Sequence, residues 1–205
     1  IDLDRYVFDQ VCRFYKETLL DGGLPPCVIS VNVSRLGLMR PDFIRSYTQI
    51  RESYGIPAGC IELELTESFA FQDTVLFRSL VAECKRNGFL CAMDDFGAGY
   101  SSLNMLKSIH VDVLKLDRQF FLYGDDTTRG QELVKSIVAM AKALNMKTVA
   151  EGIEDRAQVA QLRAIGCDAI QGNVFAKPMP MEDFGPFVEA WHNYRNIEPL
   201  AVVNK

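Results

Sequence analysis

Residues 88–103, GFLCAMDDFGAGYSSL, contain the pattern from which the fold can be argued. An apolar run, Gly88–Asp95, ends in two adjacent aspartates, and a loop containing Gly97 and Gly99 follows at once. A short, almost continuous apolar run predicts a strand of a parallel sheet that is covered by helices. Charged side chains at the C-terminal end of such a strand lie at the edge of the sheet where α/β folds bind ligands.

The same unit repeats along the chain: a short apolar run, a polar or glycine-containing loop, and then a helical pattern. The predicted strands are Cys27–Ser34, Ile61–Ser68, Gly88–Asp95, Val111–Asp117, Met146–Glu151 and Ala169–Phe175. The predicted helices include Pro41–Tyr54, Asp73–Arg86, Thr128–Leu144 and Asp155–Ile165. This alternation predicts an α/β fold with a parallel sheet, and both an open doubly wound sheet and a closed barrel satisfy it.

Each predicted strand carries a polar or charged residue at or near its C-terminal end. These residues are Asn32, Glu64, Asp94 with Asp95, Lys115, Glu151 and Gln171. Polar groups from every successive strand are typical of the active face of a (β/α)8 TIM-type barrel, whereas an open sheet gathers them only near its switch point. We therefore predict a barrel. Because a barrel of this type has eight strands, we expect about two strands and their connection upstream of Ile1.

Strand side chains alternate between the two faces of a sheet, and this alternation predicts which residues face the barrel interior. Asn32 shares a face with Ser30, and Glu64 shares one with Glu62. The apolar residues between them should then point the other way, toward the helices. They are Val31, Val33, Leu63 and Leu65.

The composition limits the class of protein. The chain has 205 residues, is 48% hydrophobic and has a formal charge of −5 with scattered basic residues, so we expect one globular domain over residues 1–205 and no polymeric nucleic acid as a partner. Six cysteines stand singly, as in proteins whose thiols stay reduced. No apolar run approaches the ~18 residues of a membrane span. We therefore expect a cytoplasmic protein with no membrane span.

The carboxylates at the strand ends predict a metal site. Glu64, Asp94, Asp95 and Glu151 would repel one another at one mouth unless a cation lies among them. Mg²⁺ and Mn²⁺ prefer oxygen ligands, and two such ions about 3.5–4 Å apart activate water for in-line attack at phosphorus. The alternative is a buried ion-pair network around Lys115 that holds no metal.

The segment after the aspartates, FGAGYSS (96–102), has two interpretations. Its backbone N–H groups could bind a phosphate, or it could be a mobile loop that positions the aspartates, with Gly97 and Gly99 supplying backbone freedom. Glu67, three residues after Glu64, either braces a neighbour through a hydrogen bond or is a solvated or helix-capping residue.

Several motifs together resemble the EAL family of cyclic di-GMP phosphodiesterases. They are NVS (32–34), ELTES (64–68), DDFGAGYSSL (94–103), KLDR (115–118), VAEGIE (149–154) and QGNVFAKP (171–178). The resemblance runs in order along practically the whole chain. It implies a (β/α)8 barrel with an antiparallel first strand, which hydrolyses cyclic di-GMP to linear pGpG with two Mg²⁺ or Mn²⁺ ions.

The resemblance also implies roles for individual residues. Lys115 would contact the nucleophilic water, a role shared with Glu151, and Glu67 would anchor the loop from 96 to about 103, which contributes to dimerisation. Glu154 would approach a guanine edge of the substrate. The metal ligands would be Asn32, Glu64, Asp94, Asp95, Glu151 and Gln171, with Asp95 also part of the catalytic set and Asn32 and Gln171 also near the substrate.

Two departures from the family pattern qualify these expectations. Ala98 stands where the family commonly has Thr, and the Glu-Ala-Leu tripeptide does not occur in the 205 residues. We expect that tripeptide upstream, with one metal-binding Glu and an Arg that grips substrate phosphate. From the 205 residues alone we accordingly expect weak or no catalysis.

The parent protein is expected to be an active phosphodiesterase that forms a homodimer and carries regulatory or sensory domains outside this chain. One alternative is a catalytically inactive receptor that binds cyclic di-GMP and passes on a signal. Another is an unrelated metal-dependent barrel that acts on a different phosphoester. Turnover of the cyclic dinucleotide, compared with turnover of a simple phosphodiester, would distinguish the three.

Overall fold

The computed structural model describes residues 3–24, 27–98, 103–121 and 127–195. Within these residues six parallel strands lie side by side in chain order and curl into a half-barrel. The strands are β1 (Ile29–Asn32), β2 (Ile61–Thr66), β3 (Leu90–Phe96), β4 (Val113–Leu116), β5 (Lys147–Ala150) and β6 (Ala169–Ile170). The predicted α/β fold with a parallel, barrel-type sheet is confirmed.

Helices precede, connect and follow the strands, and they cover the outer face of the sheet. They are α1 (Leu3–Phe14), which continues as a π-helical turn (Tyr15–Leu20), α2 (Arg35–Leu38), α3 (Phe43–Ser53), α4 (Glu67–Gln72), α5 (Thr74–Arg86), α6 (Leu103–Ser108), α7 (Thr127–Ala143), α8 (Arg156–Ala164) and α9 (Met181–Arg195). A 3₁₀ turn (Arg118–Phe121) follows β4, and the single residue Asp117 lies between them.

The two faces of the sheet have different packing. Outward side chains such as Leu63, Leu65 and Leu114 are fully buried in the large core beneath the helices. Inward side chains form a second, small apolar cluster of Ala92, Val113 and Val149, with Ala169 against it. This alternation puts the polar residues near the strand ends on the inner face, at the C-terminal edge of the half-barrel.

The predicted strands are longer than those observed, most of all at the two ends of the sheet. The first strand ends at Asn32, because the Ser34 hydroxyl accepts a hydrogen bond from Gly37 N and starts α2. The last ends at Ile170, because a turn follows in which Phe175 N donates to Gly172 O. At these two ends of the sheet, a helix cap and a backbone turn therefore end the strand before its apolar pattern runs out.

All six cysteines are free, as the sequence predicts. Cys12, Cys84 and Cys91 are buried in the core, and the others are half-buried. Burial raises the pKa of the Cys27 and Cys167 thiols, which keeps them protonated and unreactive at neutral pH. Among the described residues, no helix combines the length and the apolar character needed to cross a bilayer.

Candidate active site

The two adjacent aspartates form a β-bulge. Met93 pairs with Leu114 and Phe96 pairs with Leu116, so Asp94 and Asp95 together lie opposite the single residue Lys115. Asp95 adopts the left-handed backbone conformation, with φ of 58°, which aspartate tolerates better than most residues. In a regular strand the two side chains would point to opposite faces. The bulge removes that alternation and allows both carboxylates to reach the inner face.

Glu151 meets these aspartates from the other side of Lys115. Asp94, Asp95 and Glu151 offer carboxylate oxygens that all lie within 4.8 Å of one another. Asp94 is buried, Glu151 is half-buried and Asp95 is exposed at the mouth. Residues from β3 and from the end of β5 thus converge on one point above β4.

Lys115 lies at the centre of the acidic residues and is 1% exposed. Its Nζ lies 2.5 Å from Glu64 Oε1, 2.7 Å from Glu151 Oε1 and 2.9 Å from Asp94 Oδ1. Burial alone would lower the pKa of Lys115, but the charges of Glu64, Glu151 and Asp94 outweigh it and hold the pKa above its ordinary value. The ammonium group therefore stays charged.

This arrangement contains the buried ion-pair network that the sequence offered as the alternative to a metal site. Three carboxylates, however, contact the Lys115 ammonium group, Asp95 lies within 4.8 Å of two of them, and Glu62 adds a fifth acidic group on the same face. Burial, together with the neighbouring charge of Glu64, raises the pKa of Glu62, against a hydrogen bond that its Oε1 accepts from Ser30 Oγ at 2.8 Å. In this part of the described structure acidic groups therefore outnumber the cation among them, and a further cation would offset their mutual repulsion.

The donor set fits hard divalent ions. Carboxylate and amide oxygens are the ligands that Mg²⁺ and Mn²⁺ prefer. The register pairs Asn32 with Glu64 on neighbouring strands, which places an amide beside the buried carboxylate. Gln171 Oε1 is buried and, among the described residues, accepts no hydrogen bond. A buried acceptor without a donor is costly in a folded protein, and a metal ion would satisfy it.

Glu67 is the first residue of α4, although the sequence pattern included it in the predicted strand Ile61–Ser68. It is 1% exposed, so the solvated alternative is wrong. Its Oε2 accepts a hydrogen bond from Gly97 N at 3.1 Å, two residues after Asp95. This hydrogen bond connects the start of α4 to the backbone segment that follows the bulge. Gly99 and the rest of the expected loop up to residue 102 lie outside the described residues.

Glu154 and Gln171 line a cavity of about 230 Å³ that also includes Gly152, the residue directly after Glu151. Asn173 Nδ2 donates a hydrogen bond to Glu154 Oε1 at 3.3 Å. The cavity is also lined by Lys177, Pro178, Met179 and Phe184. Asn173 and Lys177 belong to the motif QGNVFAKP but were assigned no role from sequence, because a contact with Glu154 depends on the turn after β6.

Comparison with known domain families identifies the family of this chain. Residues 1–178 match the model of the EAL domain. The chain belongs to the EAL family. This confirms the resemblance found in the sequence motifs.

Curated relatives with this domain are much longer. Cyclic di-GMP phosphodiesterase NbdA of Pseudomonas aeruginosa is 32% identical over 203 residues, which cover 99% of this chain and 26% of NbdA. Cyclic di-GMP phosphodiesterase PdeR of Escherichia coli is 35% identical over 164 residues, covering 80% of this chain and 24% of PdeR. The EAL chain therefore spans about a quarter of the length of these relatives.

Solved EAL structures share the fold. The crystal structure of the EAL domain of Mycobacterium smegmatis DcpA superposes with a TM-score of 0.85 at 32% identity, covering 92% of this chain and 85% of that one. The MucR phosphodiesterase of Pseudomonas aeruginosa, in complex with c-di-GMP, superposes with a TM-score of 0.82 at 34% identity. That match covers 89% of this chain and 73% of the MucR structure. The likeness extends over nearly all described strands and helices.

Proposed function

We propose that this EAL domain is a metal-dependent phosphodiesterase that hydrolyses cyclic di-GMP to linear pGpG. The observation that carries the proposal is the convergence of Asp94, Asp95 and Glu151 within 4.8 Å of one another, beside the buried ammonium group of Lys115. The names of NbdA and PdeR support the same activity.

The ions would be Mg²⁺ or Mn²⁺, two per domain. The proposed ligands are Asn32, Glu64, Asp94, Asp95, Glu151 and Gln171. Ions held in such a set lower the pKa of bound water and neutralise charge on the phosphate. The chain's own contribution is to hold the oxygen donors in place at the end of a rigid sheet.

Lys115 and Glu151 are the proposed catalytic pair. They lie 2.7 Å apart, so a water molecule beside them can donate a proton toward the carboxylate. The oxygen of that water would accept from the ammonium group in place of one of the three carboxylates that Lys115 contacts. The charge of Lys115, kept by its neighbours, also stabilises negative charge that develops on the phosphate. Asp95 and Glu67 complete the proposed set, Asp95 as a ligand on the bulge and Glu67 as the anchor of the backbone that follows it.

The cavity at Glu154 is the proposed site for one guanine base. The carboxylate accepts hydrogen bonds, as required by the N–H donors on the guanine edge, and Lys177 can donate to the ring acceptors. Asn173 holds the Glu154 carboxylate in place through its hydrogen bond. Phe184 and Met179 supply apolar surface for the face of the base. Gln171, which lines this cavity, and Asn32, which lies beside Glu64, are proposed to contact the substrate as well.

The setting of the domain is also a proposal. We propose that residues 1–205 belong to one EAL-type domain, that it acts as a homodimer in the cytoplasm, and that regulatory or sensory domains lie elsewhere in the protein. The length of the relatives supports the last point, because this domain accounts for about a quarter of each.

The test is hydrolysis of cyclic di-GMP by this chain with Mg²⁺ or Mn²⁺, followed as pGpG by chromatography. Metal-dependent formation of pGpG is expected, even if slow. The Glu151→Gln variant should lower the rate at least about 100-fold, as for loss of a general base. Glu132→Gln is the matched control, since Glu132 is an exposed glutamate on α7 whose carboxylate pairs with Lys135 at 3.4 Å, and its rate should be unchanged.

Other outcomes would point elsewhere. Tight binding of cyclic di-GMP without any metal-dependent turnover would contradict the enzyme and favour the receptor. Equal turnover of a simple phosphodiester, with no preference for the cyclic dinucleotide, would favour an unrelated phosphoesterase activity. Substantial activity in Glu151→Gln would contradict the role of Glu151.

A further inference from the structure

The 3₁₀ turn Arg118–Phe121 lies between the two backbone segments that follow the acidic ligands. Gly97 comes two residues after Asp95, and a Cβ at that position would lie 1.9 Å from Phe120 Cε2. Gly152 comes directly after Glu151, and a Cβ there would lie 2.7 Å from Arg118 Cβ. Neither distance is possible between non-bonded carbon atoms. The turn therefore fills the space that both glycines leave open.

Backbone hydrogen bonds fix the position of this turn relative to the same two segments. Asp117 N donates to Phe96 O at 3.2 Å, and Glu151 N donates to Leu116 O at 3.1 Å. The turn itself is closed at its start, where Gln119 N donates to Asp117 Oδ1 at 2.8 Å. Hydrogen bonds therefore fix the turn relative to the segment after Asp95, to the segment that carries Glu151, and to Asp117 at its own start.

The far end of the turn is held as well. Gln158 Nε2 of α8 donates to Phe121 O at 3.1 Å. The rings of Phe120 and Phe96 are stacked, with centroids 6.3 Å apart and an angle of 22° between the planes. Phe121 is buried in the core. A segment with so many contacts is rigid, so it can hold the backbone segments on its two sides at a fixed separation.

We propose that the 3₁₀ turn sets the separation between the Asp94–Asp95 pair and Glu151, and thereby determines how tightly the site binds divalent ions. β4 lies between the strands that carry these ligands, so no direct backbone pairing joins them. Their like charges push the carboxylates apart, and the turn packs on Gly97 and Gly152 just beyond them. Arg118 and Phe120 are positioning residues, since they act through these glycines. This inference rests on the proposed metal-dependent function.

Gly152→Ala tests the contact with Arg118. Because Arg118 Cβ is close to its own backbone, it cannot move aside as the tip of a long side chain can. The segment carrying Glu151 must therefore shift. The matched control is Gly55→Ala, because Gly55 has the same φ of 67° and no atom within 4 Å of its added Cβ. Both variants bear the same backbone strain, and only one disturbs the turn.

The readout is the dissociation constant for Mn²⁺, measured by electron paramagnetic resonance of the free ion, together with the resonance of the bound ion. For Gly152→Ala we expect the Mn²⁺ dissociation constant to rise about 10–100-fold, as for loss of groups that orient metal ligands. Gly55→Ala should keep the affinity and the bound spectrum of the unaltered chain. Both should lose a similar amount of thermal stability. Adding Arg118→Gly to Gly152→Ala should restore part of the affinity.

A second pair keeps the test decisive if Gly152→Ala does not fold. Phe120→Leu removes part of the ring that lies on Gly97, and Phe187→Leu removes part of another half-buried ring, stacked on Trp191 at 5.9 Å. Phe120→Leu should weaken Mn²⁺ binding and Phe187→Leu should not. Equal Mn²⁺ affinity within either pair would overturn the inference. If the unaltered chain binds no Mn²⁺, both the inference and the proposed metal dependence fail, whereas Mn²⁺ binding without hydrolysis would leave the inference standing and contradict only the activity.

Discussion

At the scale of single residues, the site depends on one buried cation. Lys115 contacts three carboxylates and is almost completely buried. Water therefore contributes little to the solvation of the ammonium group, and its charge is balanced by these carboxylates. Removing one member of a buried ion network leaves the other charges without compensation, which is more damaging than the loss of a surface pair. Stability and the proposed metal binding are therefore linked through this side chain.

Replacing Lys115 by Met should lower the free energy of unfolding by about 3–5 kcal/mol in the absence of divalent ions. Urea unfolding followed by circular dichroism measures this loss, and Mn²⁺ should restore part of it by supplying positive charge among the same carboxylates. Lys135→Met is the control, because Lys135 is 58% exposed and its pair with Glu132 should be worth at most about 1 kcal/mol. An unchanged urea midpoint for Lys115→Met would refute the compensating role.

At the scale of single elements, the bulge in β3 decides where the aspartates point. The left-handed conformation of Asp95 is the unusual feature that makes the bulge possible. Asn145, at the end of α7, has the same φ of 58° but lies away from the acidic cluster. The two positions therefore allow backbone strain to be separated from the loss of a proposed metal ligand.

Asp95→Val should be less stable than Asp95→Gly by about 1–2 kcal/mol, because a β-branched residue clashes with its own backbone in the left-handed region. Both variants lack the carboxylate, so the difference between them reports the backbone alone. Asn145→Val and Asn145→Gly should differ by a similar amount. Urea unfolding of the four variants is the measurement, and a difference below about 0.5 kcal/mol at position 95 would mean that the bulge does not persist there.

The helix α1 shows the limit of periodicity at this scale. Of the apolar residues spaced in a helical pattern in this part of the sequence (Tyr6, Val7, Val11, Phe14 and Tyr15), only Tyr15 is fully buried in the core, where it joins Phe8 and Cys12. Tyr6 and Val7 are exposed. Apolar residues lie on several sides of this helix, so periodicity alone could not decide which of them face the sheet.

At the scale of the whole molecule, the sheet separates two apolar layers of very different size. The layer between the sheet and the helices contains most of the large buried side chains, including Leu114. The inner layer contains the small cluster around Val113, directly beneath the polar residues of the mouth. Most of the stabilisation from burial must therefore come from the outer layer.

Leu114→Ala should lower the free energy of unfolding by about 2–5 kcal/mol, because it creates a cavity in a closely packed core. Val113→Ala, the next residue in the same strand, should cost only about 1–2 kcal/mol, since it removes fewer buried carbons from the smaller layer. Chemical unfolding of the two variants under identical conditions gives the comparison. A greater loss for Val113→Ala would contradict this division of the core.

The sequence by itself determined the fold class, the family and which residues lie at the mouth. Strand side chains alternate with a period of two, and parallel strands share a C-terminal edge, so spacing alone places Glu64, Lys115 and Glu151 on one face at one end. The EAL motifs identify the family because they contain these same residues in the same order along the chain. Local rules of this kind need no knowledge of which strands are neighbours.

Only the tertiary structure decided the distances on which the site depends. The bulge opposite Lys115, the start of α4 at Glu67 and the hydrogen bond from Asn173 to Glu154 each follow from register or from turns that apolar periodicity does not encode. The packing of the 3₁₀ turn against Gly97 and Gly152 joins segments more than 20 and more than 30 residues from it along the chain. Such contacts arise when separate strands are brought together by a common core, and their geometry is a property of the folded whole.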